Sequence, residues 1–352
     1  MSRIDIERFR ALEAEGLLFI NRHPEAPLLI HNYSQKVQYE RLWRPETLRS
    51  RGLITDLTGR IVARPFGKFF NLAEYLEYVG PVPEESFEVF EKMDGSLGIL
   101  YFIGDQPFIA TRGSFSSEQA ITANRILRER YAAVKFDPQL TYLFEIIYPE
   151  NRIVVNYGDM EALVLLAVID TATGEEFSLD LIDLPLPKVK RYAGIADLHA
   201  LRALEEENRE GFVVRFRSGL RVKVKFAEYV RLHKIISGVT VRFIWEQVSA
   251  GKALDDVLEH VPDEFYAWVR EVEADLHAQY RTIEAEARRV YRELPTRRET
   301  AAYFNGLSIN AKILFRMLDG KTYDDVIWRM LRPEYRTPFN DSTQSGVSPA
   351  GT

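Results

Sequence analysis

The sequence predicts an α+β chain, with an antiparallel-sheet domain over residues 1–236 followed by an all-helical domain over residues 237–336. Three observations predict it. Short β-rich runs broken by turn residues fill the stretch from Leu17 to about Phe226. Several of these runs alternate apolar and polar residues, the pattern of half-buried strands. After about Ile236 the β signal stops and apolar residues recur at helical spacing.

Taken in order, Ile4 to Glu15 has apolar residues at helical spacing with charges between them and reads as a short surface helix. The strand runs are GLITDLTGRIVARPF, SLGILYFIGDQPFIATRGSF, TYLFEIIYP, NRIVVNY, ALVLLAVIDTATGEEF, GFVVRF and LRVKVKF. Gly104-Asp-Gln-Pro107 and Thr173-Gly-Glu175 mark hairpin turns. Helices are expected at Asn71–Tyr78, Glu118–Ala133 and Ala196–Glu206. The helical domain should contain Val239–Gly251, Leu254–Glu259, Asp263–Arg292, Arg297–Asn305, Ile309–Leu318 and Tyr323–Leu331. Residues 337–352, rich in Ser, Thr, Gly and Pro, read as a disordered tail.

Composition removes whole classes of function. Of the 352 residues 46% are apolar and 28% charged, an ordinary globular balance that excludes a fully disordered or collagen-like chain. The absence of Cys excludes disulfide frameworks, thiolate zinc sites, iron–sulfur clusters and a thiol nucleophile. No segment approaches the roughly 18 continuous apolar residues of a membrane span. The N-terminus is charged where a signal peptide is apolar, so a soluble cytoplasmic protein with no membrane partner is expected. The formal net charge of −6 weighs mildly against nucleic-acid binding by the whole surface. Locally the picture reverses: residues 211–234 carry +6 and residues 253–293 carry −6. A basic strip on strands beside an acidic helical stretch directs a polyanion to one face. The competing reading is a solvated hairpin with Arg217 and Arg221 as surface charges. Residues 294–336 carry +3 together with Tyr303, Phe304, Tyr323, Trp328 and Tyr335, which are read mainly as core.

The chemistry is concentrated in a few strand-embedded charges. EKMDGSLGIL contains Lys92, Asp94 and Gly95; TYLFEIIYP contains Glu145; EGFVVR runs from Glu210 to Arg215; KVKF contains Lys223 and Lys225. Charges inside strands must be paired or must meet a ligand. A Lys amine becomes a nucleophile when desolvation or nearby cations lower its pKa. Lys223 and Lys225 alternate about Val224 and so share a sheet face. There they can hold a triphosphate and help keep the Lys92 amine neutral. Glu145 and Glu210 offer hard oxygens to Mg²⁺ or acceptors to ribose hydroxyls. Together these residues suit attack of Lys92 on an α-phosphate, leaving a nucleotide covalently on the lysine.

Lys92-Met-Asp94-Gly95, Phe144-Glu145, Glu210-Gly-Phe-Val-Val-Arg215 and Lys223-Val-Lys225 resemble motifs I, III, IV and V of the covalent nucleotidyltransferases, the superfamily of DNA ligases, RNA ligases and mRNA capping enzymes. The upstream block, with Arg51-Gly52 before a strand and Lys68-Phe-Phe-Asn71, resembles the ATP-dependent RNA ligases of the phage RNA ligase 1 type. The resemblance covers about residues 30–235. It implies that Lys92 accepts AMP, that Arg51 and Lys68 contact the β- and γ-phosphates of ATP, and that Glu145 meets ribose or metal. It implies also that Glu210 meets a divalent ion, Mg²⁺ or Mn²⁺, that Lys223 and Lys225 contact the α-phosphate with Lys225 as general acid or orienting cation, and that Asp94 and Gly95 shape the loop after the nucleophile. The main chain of Glu91 is the implied adenine reader. Where the family often has Lys in a Thr-Lys-Gly-Ser strand, this chain has Thr111-Arg112-Gly113-Ser114. The strand Leu163–Ile169 offers aliphatic Val164 and Leu166 where an aromatic would stack on adenine. DNA ligases and capping enzymes follow this domain with an OB-fold, and no strand series is expected at 237–336. The implied partner is RNA with 3′-OH and 5′-phosphate ends, and the implied task is sealing broken RNA, a nicked tRNA loop being one candidate. Joining of DNA ends, and noncatalytic RNA binding on the same scaffold, stand as the alternatives.

Other motifs carry less. The six His residues show no metal-ligand spacing. Gly320-Lys321-Thr322 lacks the upstream Gly of a phosphate loop and reads as a turn. Asp255-Asp256 and Asp324-Asp325 fall at helix starts, where acids suit the helix dipole.

Overall fold

The computed structural model describes residues 2–258, 261 and 263–333. The tail expected at 337–352 lies outside them. The chain divides into two compact units, Met1–Val230 and Arg231–Thr352.

The first unit holds 14 strands among its described residues: β1 (Leu18–Arg22), β2 (Leu28–Tyr33), β3 (Arg51–Asp56), β4 (Ile61–Ala63), β5 (Phe70–Asn71), β6 (Phe87–Lys92), β7 (Ser96–Ile103), β8 (Gln106–Ala110), β9 (Leu140–Ile147), β10 (Ala162–Asp170), β11 (Glu176–Phe177), β12 (Arg191–Tyr192), β13 (Gly211–Phe216) and β14 (Arg221–Lys225). They form a four-stranded sheet, β1-β2-β3-β4, and two five-stranded sheets, β11-β10-β9-β7-β8 and β12-β6-β13-β14-β5. Every strand pairing is antiparallel except that of β5 with β14.

Side-chain alternation explains the layering. On the β9-containing sheet, Leu100, Phe144, Leu163 and Leu165 pack on Ala123, Ile126 and Leu127 of the helix Glu118–Arg130. The opposite face of the same strands presents Ile99, Tyr101, Leu143 and Ala167 to Ile30, Ile54 and Ala63 of the four-stranded sheet. Both faces are therefore buried, and burial of such apolar area is the main force holding the layers. The helix starts where Ser117 accepts a hydrogen bond from the Ala120 N–H, a side-chain cap.

Three segments differ from expectation. Residues 151–157 form no strand; a 3₁₀ turn at Pro149–Asn151 precedes a bent segment. Val154 and Val155 are buried as their apolar character demands, but their N–H groups both donate to the Asp94 carboxylate at 2.9 Å. That side chain satisfies the backbone that a neighbouring strand would otherwise pair. Around 196–206 the helix is a short 3₁₀ segment, His199–Leu204. A helix at Ala227–Gly238 follows β14, in a stretch for which the sequence predicts no element.

The second unit is helical: Val241–Ser249, Asp255–Leu258, Asp263–Val290, Arg297–Asn305, Ala311–Leu318 and Asp324–Met330. No strand occurs among its described residues, so the OB-fold expected to be absent is absent there. Phe304, Ile313, Leu314 and Ile327 close its core against Ala287. Tyr303 and Tyr323 pack against this core, and half-buried Trp328 packs against Tyr280 with ring centroids 4.9 Å apart; Tyr335 lies outside the described residues. Thr296 and Glu299 form a capping box. Gly320–Thr322 is a turn between two helices. No helix among the described residues is long and apolar enough to cross a membrane.

Candidate active site

Three adjacent strands, β6, β13 and β14, carry the site. Their register aligns Lys92, Gly211 and Lys225 in one row and Phe90, Val213 and Lys223 in the next. A third row contains Glu88, Arg215 and Arg221. With a period of two, all three rows project from the same face. Gly211 separates the two lysines and cannot be another residue at low cost. Its φ is +141°, and a Cβ there would lie 2.1 Å from the Val224 carbonyl oxygen.

Glu210, 3% exposed, binds both lysines: its carboxylate lies 2.7 Å from the Lys92 Nζ and 2.8 Å from the Lys225 Nζ. From the neighbouring sheet, Glu145 of β9 accepts a hydrogen bond from the Gly95 N–H at 2.9 Å. Burial, with Glu210 nearby, outweighs Lys92 and pushes the Glu145 carboxyl up to about 7. Lys223 moves the other way: burial, then the charges of Lys68, Lys92, Arg51 and Lys225, lower its amine to about 7.

Arg51 comes from β3 of the four-stranded sheet. Gly52, at φ +95°, lets β3 approach closely, since a Cβ there would meet Ile99 at 2.4 Å and the Arg112 backbone at 3.2 Å. Arg51 thus reaches the same pocket as Lys92, Glu91, Gly95, Glu145 and Lys223. Its Nη1 is buried without a hydrogen-bond partner. A buried unpaired guanidinium nitrogen is costly, and an anionic ligand is the natural remedy. The Lys68 Nζ stands 5.1 Å from the Trp43 ring, 5.2 Å from Phe70 and 5.8 Å from Tyr33, an aromatic surround outside the pocket lining. Arg112 lies over Tyr33 at 5.6 Å. Burial lowers the Lys68 amine, and Arg51 and Arg112 lower it further while Glu74 opposes them.

Asp94 is not brought to the pocket. It is 3% exposed, and besides holding Val154 and Val155 it accepts a hydrogen bond from the Tyr229 hydroxyl at 2.7 Å. It fixes the loop after Lys92 from behind, while the neighbouring Gly95 lines the pocket. Glu91 lines it too, but its N–H is engaged by the Lys190 carbonyl at 2.9 Å.

The apolar part of the pocket includes Phe66, Phe69, Phe90, Leu97, Leu166 and Val213. Phe66, Phe69 and Phe90 carry no motif of their own, and only the Phe-Phe of the Lys68 block hinted at them. Glu176 and Arg221 also line it. Arg221, one of two arginines open to a surface reading, has a side chain only 14% exposed and is paired with Glu176. Arg221 is therefore part of the pocket wall. Its partner comes from a strand 45 residues away in the chain, a pairing no local pattern shows.

The arrangement can hold a phosphate chain among cations, present a primary amine to it, and enclose a flat apolar group beside it. The sequence model of the RNA ligase family matches residues 49–230. A provisionally named RNA ligase of Thermovibrio ammonificans is 33% identical over 200 residues, covering 52% of this chain and 52% of that protein. The RNA ligase of Rhodothermus phage RM378 is 24% identical over 401 residues, covering 92% of this chain and 88% of that one. Among solved structures, an archaeal ATP-dependent RNA ligase covers 91% of this chain and 97% of its own at 15% identity, with a TM-score of 0.47. The chain spans about half the length of the Thermovibrio relative. The family match extends over more than half of the chain, and the chain belongs to the RNA ligase family.

Proposed function

We propose that this protein is an ATP-dependent RNA ligase that joins RNA 3′-OH and 5′-phosphate ends. The observation that carries the reading is Lys92: an amine 2.7 Å from Glu210, in register with Lys225 and facing a pocket that also contains Arg51 and Lys223. Membership of the RNA ligase family supports the choice of RNA.

In the first step the Lys92 nitrogen bonds to the α-phosphorus of ATP and the bond to the β-phosphate oxygen breaks, releasing pyrophosphate. Glu210 accepts the hydrogen bond of the amine and orients it. Lys223 and Lys225 face the α-phosphate; Arg51, with Lys68 and Arg112 behind it, faces the leaving pyrophosphate. Fixed cations at a developing negative charge stabilise the transition state without reorganisation. In the second step an RNA 5′-phosphate oxygen displaces Lys92 from AMP. In the third the RNA 3′-hydroxyl displaces AMP.

Glu145 and Glu210 are the carboxylates that would hold a divalent ion, Glu210 with its oxygens now on Lys92 and Lys225. Mg²⁺ keeps much of its shell as water and substrate phosphate and needs only one or two protein carboxylates, and no larger ligand cluster occurs among the described residues. Such an ion would neutralise phosphate charge as pyrophosphate leaves. We assign residues 1–236 to adenylyl transfer, residues 237–336 to the choice of RNA, and the natural task to repair of broken RNA such as tRNA.

The test is circularisation of a 5′-phosphorylated single-stranded RNA and its DNA counterpart, with ATP and Mg²⁺ or Mn²⁺. RNA should be sealed, DNA little or not at all, and omission of the ion should abolish joining. Preferred sealing of DNA would contradict the RNA assignment.

A further inference from the structure

We propose that Arg221 and Glu176 read the nucleobase and set the preference of the site for adenine. This rests on ATP being the nucleotide of the proposed function.

The pair stands at the end of the pocket remote from Lys92. The row containing Arg221 lies four residues along the strands from the row containing Lys92, about 13 Å at ~3.3 Å per residue. Between them lies the row of apolar Phe90 and Val213 with Lys223 beside them. A nucleotide with its α-phosphate at Lys92 therefore lays its base over the middle row and turns the outer edge of the base toward Arg221.

The wall is rigidly held. The Arg221 guanidinium stacks 4.3 Å from the centroid of Phe66. Its Nη2 pairs with one oxygen of Glu176, and Arg215 pairs with the other. Arg215 in turn pairs with Glu88. Glu176 belongs to the sheet that also contains Glu145, so the two five-stranded sheets are tied together here. Arg221 and Glu176 also line a second, polar depression on their other side. They are thus a thin partition, with one side toward the proposed base position.

The chemistry fits one base edge. A guanidinium has five N–H donors and a carboxylate about four acceptor sites, so the ion pair leaves a donor beside an acceptor. Adenine presents the complement, an N1 acceptor beside an N6 amino donor. Guanine and uracil present the two in the opposite order. Cytosine has the same order, but its single ring ends nearer the ribose and falls short of the wall. A mismatched base leaves a desolvated Arg221 or Glu176 without a partner, which is how a polar wall rejects analogues strongly.

The test is self-labelling of the full-length protein with ATP, GTP or CTP labelled at the α-phosphate, in Mg²⁺, read on a denaturing gel over a range of nucleotide concentrations. Wild type should prefer ATP. Arg221→Ala should lower the ATP:GTP and ATP:CTP preferences by about tenfold or more, chiefly through KM for ATP. Glu176→Gln should act in the same direction, and Arg221→Lys, which keeps the charge opposite Glu176, should fall between. A ligand-side measurement is independent of folding. Purine riboside triphosphate, which lacks the 6-amino group, should cost wild type as much as Glu176→Gln costs with ATP, and should cost Glu176→Gln nothing more. A wild type labelled by ATP whose preferences survive both Arg221 substitutions overturns this inference alone. So do losses from Glu176→Gln and from the analogue that multiply. A wild type labelled by none of the three nucleotides overturns the proposed function and this inference with it.

Discussion

Near one end of the pocket Lys92 and Lys225 pair with Glu210, and Lys223 and Arg51 line the wall with Glu145; near the other, Arg221 pairs with Glu176, which Arg215 ties to Glu88. Both ends set side chains of β6 and β14 beside a carboxylate from the β9-containing sheet, Glu145 at the first and Glu176 at the second. They differ in what is left over. At the first end cations outnumber acids, the Arg51 Nη1 has no partner, and the Lys223 amine is lowered to about 7 by burial and its cationic neighbours. At the second each arginine has its carboxylate. An uncompensated field of buried charge costs stability and awaits a ligand, whereas a matched set holds structure together.

Substitutions that remove one cation from each end test this contrast. The largest effect belongs to Lys92→Ala, which deletes the proposed nucleophile and should drop adenylyl transfer below detection while the protein still melts cooperatively. Lys223→Met should reduce self-labelling with ATP by about 100-fold, the scale for losing one transition-state charge contact. Yet it should raise the melting temperature of the free protein, because a desolvated amine among cations is gone. Arg215→Met should do the reverse for stability, costing about 3 kcal/mol, since it leaves Glu88 and Glu176 short of a partner. Equal and opposite failures, with Lys223→Met destabilising and Arg215→Met neutral in urea denaturation, would erase the distinction.

A smaller effect concerns pH. The Glu145 carboxyl is raised from 4.5 to about 7 in the folded chain. Between those values the folded state binds the extra proton, so this group's contribution to stability is present at pH 4.5 and is lost as pH rises through 7. Glu145→Gln should therefore stabilise the protein at pH 8 and leave it little changed at pH 4.5, by thermal melting. Lys223 has the opposite sense. Its lowered amine makes the unfolded chain the better proton binder between about 7 and 10.5, so stability gains across that window. Lys223→Met should flatten that gain. The smallest expected effect is a graded weakening of RNA binding with added salt.

Much of this site was legible in sequence, because strand period and motif order report which charges share a face. Lys92, Lys223 and Lys225 needed only alternation and adjacency, and Glu145 and Glu210 were visible as carboxylates inside and just before apolar strands. What escaped depended on pairings between distant segments. Arg221, counted in the basic strip, stays open to a surface reading until Glu176 arrives from another sheet. Val154 and Val155 read as a strand because apolarity reports burial, and only the Asp94 contacts reveal that a side chain replaces the neighbouring strand. Asp94 itself is identical in the motif whether it faces nucleotide or loop, and its direction came from the fold. The helical unit was legible in outline, since helical periodicity is local, and Phe304 sits in its core.

The most direct test of the central claim is mass spectrometry of the intact protein and its peptides after incubation with ATP and Mg²⁺. The account predicts the added mass of one adenylyl group, confined to the peptide that contains Lys92 and removed by excess pyrophosphate. An adduct on another residue, or no adduct on a protein that still seals RNA, would contradict it.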